Sequence, residues 1–134
     1  MFELRVEAHF CAAHFLKDYK GKCENLHGHN YKVYAHVKGS KLDEGGMLID
    51  FGDLKKALKD VCDSLDHTNL NDNPFFNQNP SAERIAVFIY KNLITKLPVL
   101  DLSKSSEKNL GDQTHISAID VFETETNRAR YLPD

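Results

Sequence analysis

The sequence predicts an α+β domain, an antiparallel sheet covered on one face by two helices. Three observations carry this prediction. Apolar residues alternate with polar ones at both ends of the chain, they recur at helical spacing in the middle, and the elements run strand, strand, helix, helix, strand, strand.

From Phe2 to Ala12 the even positions read Phe2, Leu4, Val6, Ala8, Phe10 and Ala12, while the odd ones carry Glu3, Arg5, Glu7 and His9. A period of two marks a half-buried strand. Tyr31, Val33, Ala35 and Val37 alternate with Lys32, Tyr34, His36 and Lys38, which predicts a second strand ending near Gly39. Their connection, Phe15 to Leu26, is longer than a hairpin needs and contains Cys23. Long loops held between rigid strands are usual places for chemistry. After Gly45 and Gly46, "MLIDF" suggests a short extended piece, and Leu54, Ala57, Leu58, Val61, Cys62 and Leu65 then recur as the buried stripe of a helix. The polar stretch "DHTNLNDN" interrupts the pattern. In "NPSAERIAVFIYKNLITKLP" a second helix is expected, with Asn79 and Pro80 as N-cap and first turn, Pro98 past its end, and Ala86, Ile89, Leu93 and Leu97 on its packed side. Asp101 to Gln113 reads as an exposed loop. "HISAIDVFETETNRARYL" reads as two short strands around a turn at Thr124 to Asn127, with apolar residues on both parities. The resulting four-stranded sheet has two open edges, and pairing with another copy is a common way to cover them.

The 134 residues suit one domain spanning 1–134, with no internal repeat or low-complexity tract. A formal charge of −3, from acids and bases mixed along the chain, leaves no broad basic face for nucleic acid or a membrane surface. The expected partner is therefore a small molecule. Cys11, Cys23 and Cys62 are odd in number and scattered, no secretory pattern opens the chain, and no apolar run approaches the roughly 18 residues of a membrane span. A reducing cytoplasm is the expected compartment.

The segment "CENLHGHNYKV", residues 23–33, carries the chemistry. On a strand, residues two apart point the same way, so His27 and His29 share a face with Tyr31 and Val33. His14 continues the inward parity of Phe10 and Ala12, and pairing of the two strands would bring three imidazoles together. Three histidines without a thiolate at finger-like spacing match a catalytic zinc site with an open position better than a closed structural one. Gly28 is expected to let the backbone turn tightly between ligands. A single inward histidine is more often a hydrogen-bonded core residue than a ligand, and the third histidine is what shifts the balance. His9 and His36 fall on the polar parity and His115 lies near a strand start, so all three read as surface residues.

The segments "AAHFL", "CENLHGH", "LIDFGDLK", "LDHTNLN", "NPSAE" and "VFETETN" occur in an order that resembles the 6-pyruvoyl-tetrahydropterin synthase and 6-carboxy-tetrahydropterin synthase family over nearly the whole chain. The resemblance implies the tunnelling fold (T-fold, ββααββ), in which sheets pair into trimeric barrels and two trimers stack into a homohexamer with interfacial active sites. It implies zinc (Zn2+) held by His14, His27 and His29, with Cys23 as general base, since a thiol near a cation ionises more readily. Asp66 and His67 match the family's acid-base pair, at a helix end whose dipole favours protonated imidazole. Glu123 matches the carboxylate that grips the pterin through two parallel hydrogen bonds, beside Glu125, read as an exposed turn residue. Ser81 and Glu83 fall where the family lines the pterin pocket, although capping explains them equally. Lys17, Lys20 and Lys22 could meet a triphosphate or form an ordinary solvated face. Cys11 and Cys62 read as ordinary reduced cysteines.

The implied reaction is metal-assisted proton abstraction and elimination of triphosphate from 7,8-dihydroneopterin triphosphate, with Cys23 and His67 moving protons and no redox cofactor. Only Glu24, Asn25 and Leu26 separate Cys23 from His27, as in bacterial 6-carboxy-tetrahydropterin synthases of the queuosine pathway. Glu24 also creates Glu-x-x-His-Gly-His, resembling a group that cleaves the same substrate to 6-hydroxymethyl-7,8-dihydropterin for folate. The 6-pyruvoyl product, a hybrid running either reaction, and a non-catalytic pterin-binding module stand as further alternatives, and the plain alternative for Glu24 is an exposed loop acid.

Overall fold

The structure, a computed structural model, describes residues 1–17, 21, 25–104 and 112–133. Two 13-residue strands, β1 (Phe2–His14) and β2 (His27–Gly39), pair antiparallel along their whole length. Helix α1 (Phe51–Leu65) follows, then a two-residue strand β3 (Thr68–Asn69), helix α2 (Ala82–Lys96), and the hairpin of β4 (His115–Phe122) and β5 (Arg128–Tyr131). The sheet order is β3-β1-β2-β4-β5. The four expected strands pair antiparallel with one another. The short β3, unexpected from the sequence, adds on parallel to β1 at Ala12 and Ala13.

Both helices pack on one face, α1 against β1 and α2 against β4, β5 and α1. The core between them contains Tyr31, Val33, Ala35 and Val37 from β2, Leu54 and Leu58 from α1, and Ile85, Ile89 and Leu93 from α2. The stripe expected on α1 is the stripe that is buried, from Leu54 through Leu65. Asp50 caps α1, its Oδ1 accepting from the N–H of Gly52 at 2.6 Å and of Asp53 at 3.3 Å. No helix among the described residues is long and apolar enough to cross a membrane.

Four local expectations are corrected. "MLIDF" forms no strand; Phe51 already begins α1. The N-cap of α2 is Ser81, not Asn79, because the Asn79 side chain is committed to the Lys17 N–H at 2.9 Å while Ser81 Oγ accepts from the Arg84 N–H. The segment after Leu100 is not wholly exposed: Asp101 is buried, its Oδ1 accepting from the backbone and hydroxyl of Ser103, and Leu102–Lys104 form a 3-10 turn. His36 faces away from the helices as its parity requires, yet it is buried, donating from Nε2 to Asp120 at 2.6 Å. Asp120 is in turn gripped by Arg130 through two bonds of 2.6 and 2.9 Å, so paired side chains roof this part of the outer face.

A β-bulge lies behind the mixed parity of the fourth strand. His36 pairs with Ala118 but Val37 pairs with Ile116, leaving Ser117 as the extra residue. Inward and outward positions therefore exchange along β4, and Ile116, Ile119 and Val121 all reach the core.

Candidate active site

The register of β1 and β2 builds the site. His14 lies opposite His27, Ala12 opposite His29, and Phe10 opposite Tyr31. Cross-strand partners share a face, so the three histidines meet at one end of the inner face, with the small Ala12 leaving room for their rings. Their ring centroids are 4.6, 4.7 and 5.1 Å apart. Gly28 does not turn the chain as expected. It is an ordinary strand residue opposite Ala13, and an added Cβ would come no nearer than 3.7 Å to the Ala12 carbonyl. Its missing side chain instead keeps the outer face open beside the histidines, where two clefts meet.

The hydrogen bonds of the rings decide what the cluster suits. His14 Nδ1 donates to the Pro80 carbonyl at 2.8 Å, and His27 Nδ1 donates to the Asn25 carbonyl at 2.7 Å. A carbonyl only accepts, so each neutral ring keeps its proton on Nδ1 and turns a lone pair outward on Nε2. Those two Nε2 atoms face each other at 3.0 Å. Two lone pairs at that distance repel unless a cation lies between them. His29 Nε2, buried, has no hydrogen-bond partner either: Glu123 Oε1 is 3.1 Å away but off the line a bond requires. The donor atoms of His14, His27, His29 and Glu123 all lie within 4.8 Å of one another. Three imidazole nitrogens and a carboxylate oxygen, with backbone carbonyls orienting two of the rings, fit a first-row transition-metal ion.

Electrostatics favour the same state. Burial is the largest influence on His14 and on His29 and pushes both below the ordinary imidazole range, outweighing the pull of Glu123 in the opposite direction. Both rings are thus neutral near pH 7, the form that binds a metal. Below them the fully buried Tyr31 stacks on Phe10 at 4.7 Å, its phenol raised far above its usual range by burial and by the Glu123 charge.

Asn71, within the "LDHTNLN" segment, fixes the frame. Its Oδ1 accepts from the Phe15 N–H at 2.8 Å and its Nδ2 donates to the carbonyls of Phe15 and Gln78, both at 3.0 Å. It therefore ties the residue after His14 to the segment carrying Pro80, the acceptor for the His14 ring. Glu123 is presented by the β4–β5 turn, where its N–H bonds the Asn127 carbonyl and Thr124 Oγ1 accepts from the Asn127 N–H.

Asp66 and His67 follow α1. Asp66 Oδ1 accepts from the Cys11 N–H at 2.8 Å, and Oδ2 lies 2.8 Å from His67 Nδ1. The Cys11 bond first, and the His67 bond second, hold the Asp66 carboxyl below the usual carboxylate range. His67 adopts a left-handed backbone, φ 56°, secured by its N–H to the Cys11 carbonyl, and its ring projects into solvent, 81% exposed. The ring lines a cleft of about 500 Å³ that also reaches His29 and Asn30. A larger cleft of about 780 Å³ lies beside it, bounded by His29, Tyr34, Phe122, Glu123 and Thr124.

The structure thus gathers His14, His27, His29 and Glu123, and sets Asp66 and His67 on a cleft shared with His29. Ser81 and Glu83 stand in the first turn of α2, where Ser81 caps and Glu83 is exposed; neither borders these clefts. Lys17 is exposed. Cys23, Glu24, Lys20 and Lys22 lie outside the described residues. His9 is exposed and His115 half-buried, with Nδ1 donating to the Gln113 carbonyl. Cys11 is exposed, and burial pushes the Cys62 thiol up to about 12. Sequence reasoning missed the roles of Asn71 and the Pro80 carbonyl, and did not place Glu123 beside the three histidines. The one available signal was the polar Asn71 beside the buried Leu70.

Fold and donor set together define a class: an α+β protein whose sheet carries a candidate metal site opening onto a ligand-sized cleft. The sequence pattern of the 6-pyruvoyl tetrahydropterin synthase family matches residues 3–134, and the chain belongs to that family of lyases. A 6-carboxy-5,6,7,8-tetrahydropterin synthase of Haemophilus influenzae is 33% identical over 144 aligned positions, covering 98% of this chain and 99% of the relative. The 6-pyruvoyl tetrahydropterin synthase of Caenorhabditis elegans superposes with a TM-score of 0.78 at 26% identity, covering 99% of this chain and 96% of that one. A Plasmodium vivax 6-pyruvoyltetrahydropterin synthase, solved as an alanine variant of a catalytic glutamate, gives 0.73 at 26% identity, covering 99% and 98%. The fold is accordingly the tunnelling fold of these synthases.

Proposed function

We propose that the protein is a zinc-dependent, cytoplasmic 6-carboxy-tetrahydropterin synthase that acts on 7,8-dihydroneopterin triphosphate with loss of triphosphate, in the queuosine branch of pterin metabolism. The observation that carries this reading is the pair of facing Nε2 lone pairs on His14 and His27, with His29 Nε2 unpartnered beside them. The match to a 6-carboxy-tetrahydropterin synthase along both full lengths supports the choice of product, as does the three-residue spacing between Cys23 and His27.

His14, His27 and His29 would hold the zinc ion, which when bound supplies Lewis-acid polarisation of substrate side-chain oxygens. Cys23 takes a proton from the substrate side chain. His67 returns one, its imidazole oriented by Asp66 through the 2.8 Å contact. Glu123 accepts the amino and amide N–H groups at the pterin edge and lines the larger cleft. Ser81 and Glu83 are further contacts for the pterin, and Lys17, Lys20 and Lys22 for the triphosphate. The assembly is a homohexamer with sites at subunit interfaces. Its support is that, among the described residues, only Ala12 and Ala13 of the outer edge of β1 have a strand partner, while β5 ends the sheet on the other side.

A second reading, cleavage to 6-hydroxymethyl-7,8-dihydropterin, is favoured by Glu24 in its Glu-x-x-His-Gly-His setting. Mass-spectrometric product analysis separates the two. Wild type is expected to release acetaldehyde and the carboxy product, and Glu24→Ala to leave that reaction intact. Release of the hydroxymethyl pterin alone would establish the second reading, and tight pterin binding without turnover would reduce the protein to a binding module.

A further inference from the structure

Cys11 and Asn30 stand opposite each other across β1 and β2, next to the pair formed by Ala12 and His29 and on the other face of the sheet. The Cys11 thiol lies 3.0 Å from Asn30 Oδ1. A thiol has a proton to give, and an amide oxygen accepts better than sulfur does, so the contact fixes which way the Asn30 amide faces. Its oxygen is committed. The two N–H groups of Nδ2 are thereby turned away from the thiol, and among the described residues no acceptor meets them.

Both side chains border both clefts, the larger one with Glu123 and the smaller one with His67. In the functional reading above, Glu123 holds the pterin edge and His67 returns a proton to the side chain, so a bound substrate runs from one cleft to the other. Asn30 stands at the crossing. Cys11 is itself anchored there: its N–H donates to Asp66 Oδ1 at 2.8 Å, and its carbonyl accepts from the His67 N–H at 2.6 Å. One strand residue thus sets the Asn30 amide and the Asp66 and His67 pair in a common frame.

We propose that Asn30 is a substrate-binding residue, its amide N–H groups donating to oxygen on the substrate side chain between the pterin ring and the triphosphate, and that Cys11 is the positioning residue that orients it. The inference rests on the pterin reading above. It gives the exposed Cys11 thiol a use as a hydrogen-bond donor, and neither side chain need touch the metal.

The test begins with Asn30→Ala, which removes the donors from an exposed position. The dissociation constant of 7,8-dihydroneopterin, the substrate without its triphosphate, is read by fluorescence titration of the Zn2+-loaded protein. It should rise about fivefold, KM for the triphosphate should rise by a similar factor, and metal content and melting temperature should stay as in wild type. Cys11→Ala frees the amide to rotate and should raise both constants about twofold, whereas Cys11→Ser keeps a donor and should restore them. In the Asn30→Ala background Cys11→Ala should add nothing. Unchanged binding of dihydroneopterin by Asn30→Ala, a loss confined to the triphosphate, or a Cys11→Ser variant as impaired as Cys11→Ala would each overturn the proposal. A lower melting temperature with both constants unchanged would do the same, reducing the pair to a structural contact. Failure of the wild type to bind either compound would instead overturn the pterin reading itself.

Discussion

His14 and His27 can be treated as a pair whose ring orientation is set by two backbone carbonyls. Substituting alanine for either is expected to abolish stoichiometric metal, read by elemental analysis of the purified protein, and turnover with it. Metal-free His27→Ala, which removes one of the facing lone pairs from a half-buried ring, should melt near the metal-free wild type, whereas metal-free His14→Ala should melt lower because the buried Pro80 carbonyl loses its donor. Asn71 touches no metal donor, but its amide satisfies three backbone groups on two segments, and Asn71→Ala would leave those groups buried and unpaired. A loss of about 3 kcal/mol in urea unfolding is expected, together with weaker metal binding, because the Pro80 carbonyl loses its fixed position.

At the scale of single elements, the start of α2 and the middle of β2 are informative. Ser81 caps α2 by accepting from the Arg84 N–H at 3.3 Å. If capping is its whole role, Ser81→Ala should cost about 1 kcal/mol of stability and leave KM for the pterin substrate unchanged; a rise in KM at equal stability would identify a substrate contact. Gly28 lies in extended backbone with space around it. Gly28→Ala should therefore fold with a melting temperature near wild type and retain its metal, while its methyl group narrows the opening between the two clefts and raises KM. The paired long strands matter more than either helix here, since one register aligns His14 with His27 and Ala12 with His29 at once.

For the whole molecule, protons and metal should be the main external controls of stability. Asp66 is held below the usual carboxylate range by the Cys11 N–H and His67. Burial alone would raise Asp120, but its bonds to Arg130 and His36 prevail and hold it low as well. A carboxyl depressed in the folded state binds protons less readily than the same group unfolded. Its stabilisation is thus complete above the unfolded value near pH 4 and is lost as pH falls through the folded one. Thermal denaturation should show stability falling steeply below about pH 4, and Asp120→Asn should flatten that fall while lowering stability at neutral pH. Metal acts by linkage: at a free concentration a thousandfold above its dissociation constant it adds about 4 kcal/mol. Chelation should lower the melting temperature by several degrees, and restoring Zn2+ should reverse the change. Sedimentation at several protein concentrations tests the hexamer; a monomer at micromolar concentration would remove the interfacial site from the proposal.

Read alone, the sequence determined the α+β class, the order of its main elements, the buried stripe of α1 and the shared face of His14, His27 and His29. All of these follow from local periodicities of two and of about 3.6 residues, which the chain writes directly into its apolar pattern. Tertiary structure decided the rest. The bulge at Ser117 exchanged the faces of β4, the distant turn at residues 124–127 carried Glu123 to the histidines, and residues far along the chain supplied Pro80 and Asn71 as the frame for His14. His36 kept the outward parity its position implied but was buried by Asp120, a partner 84 residues away. Such contacts join segments with no fixed spacing between them, so they follow from how the strands and helices pack and not from any pattern within one segment.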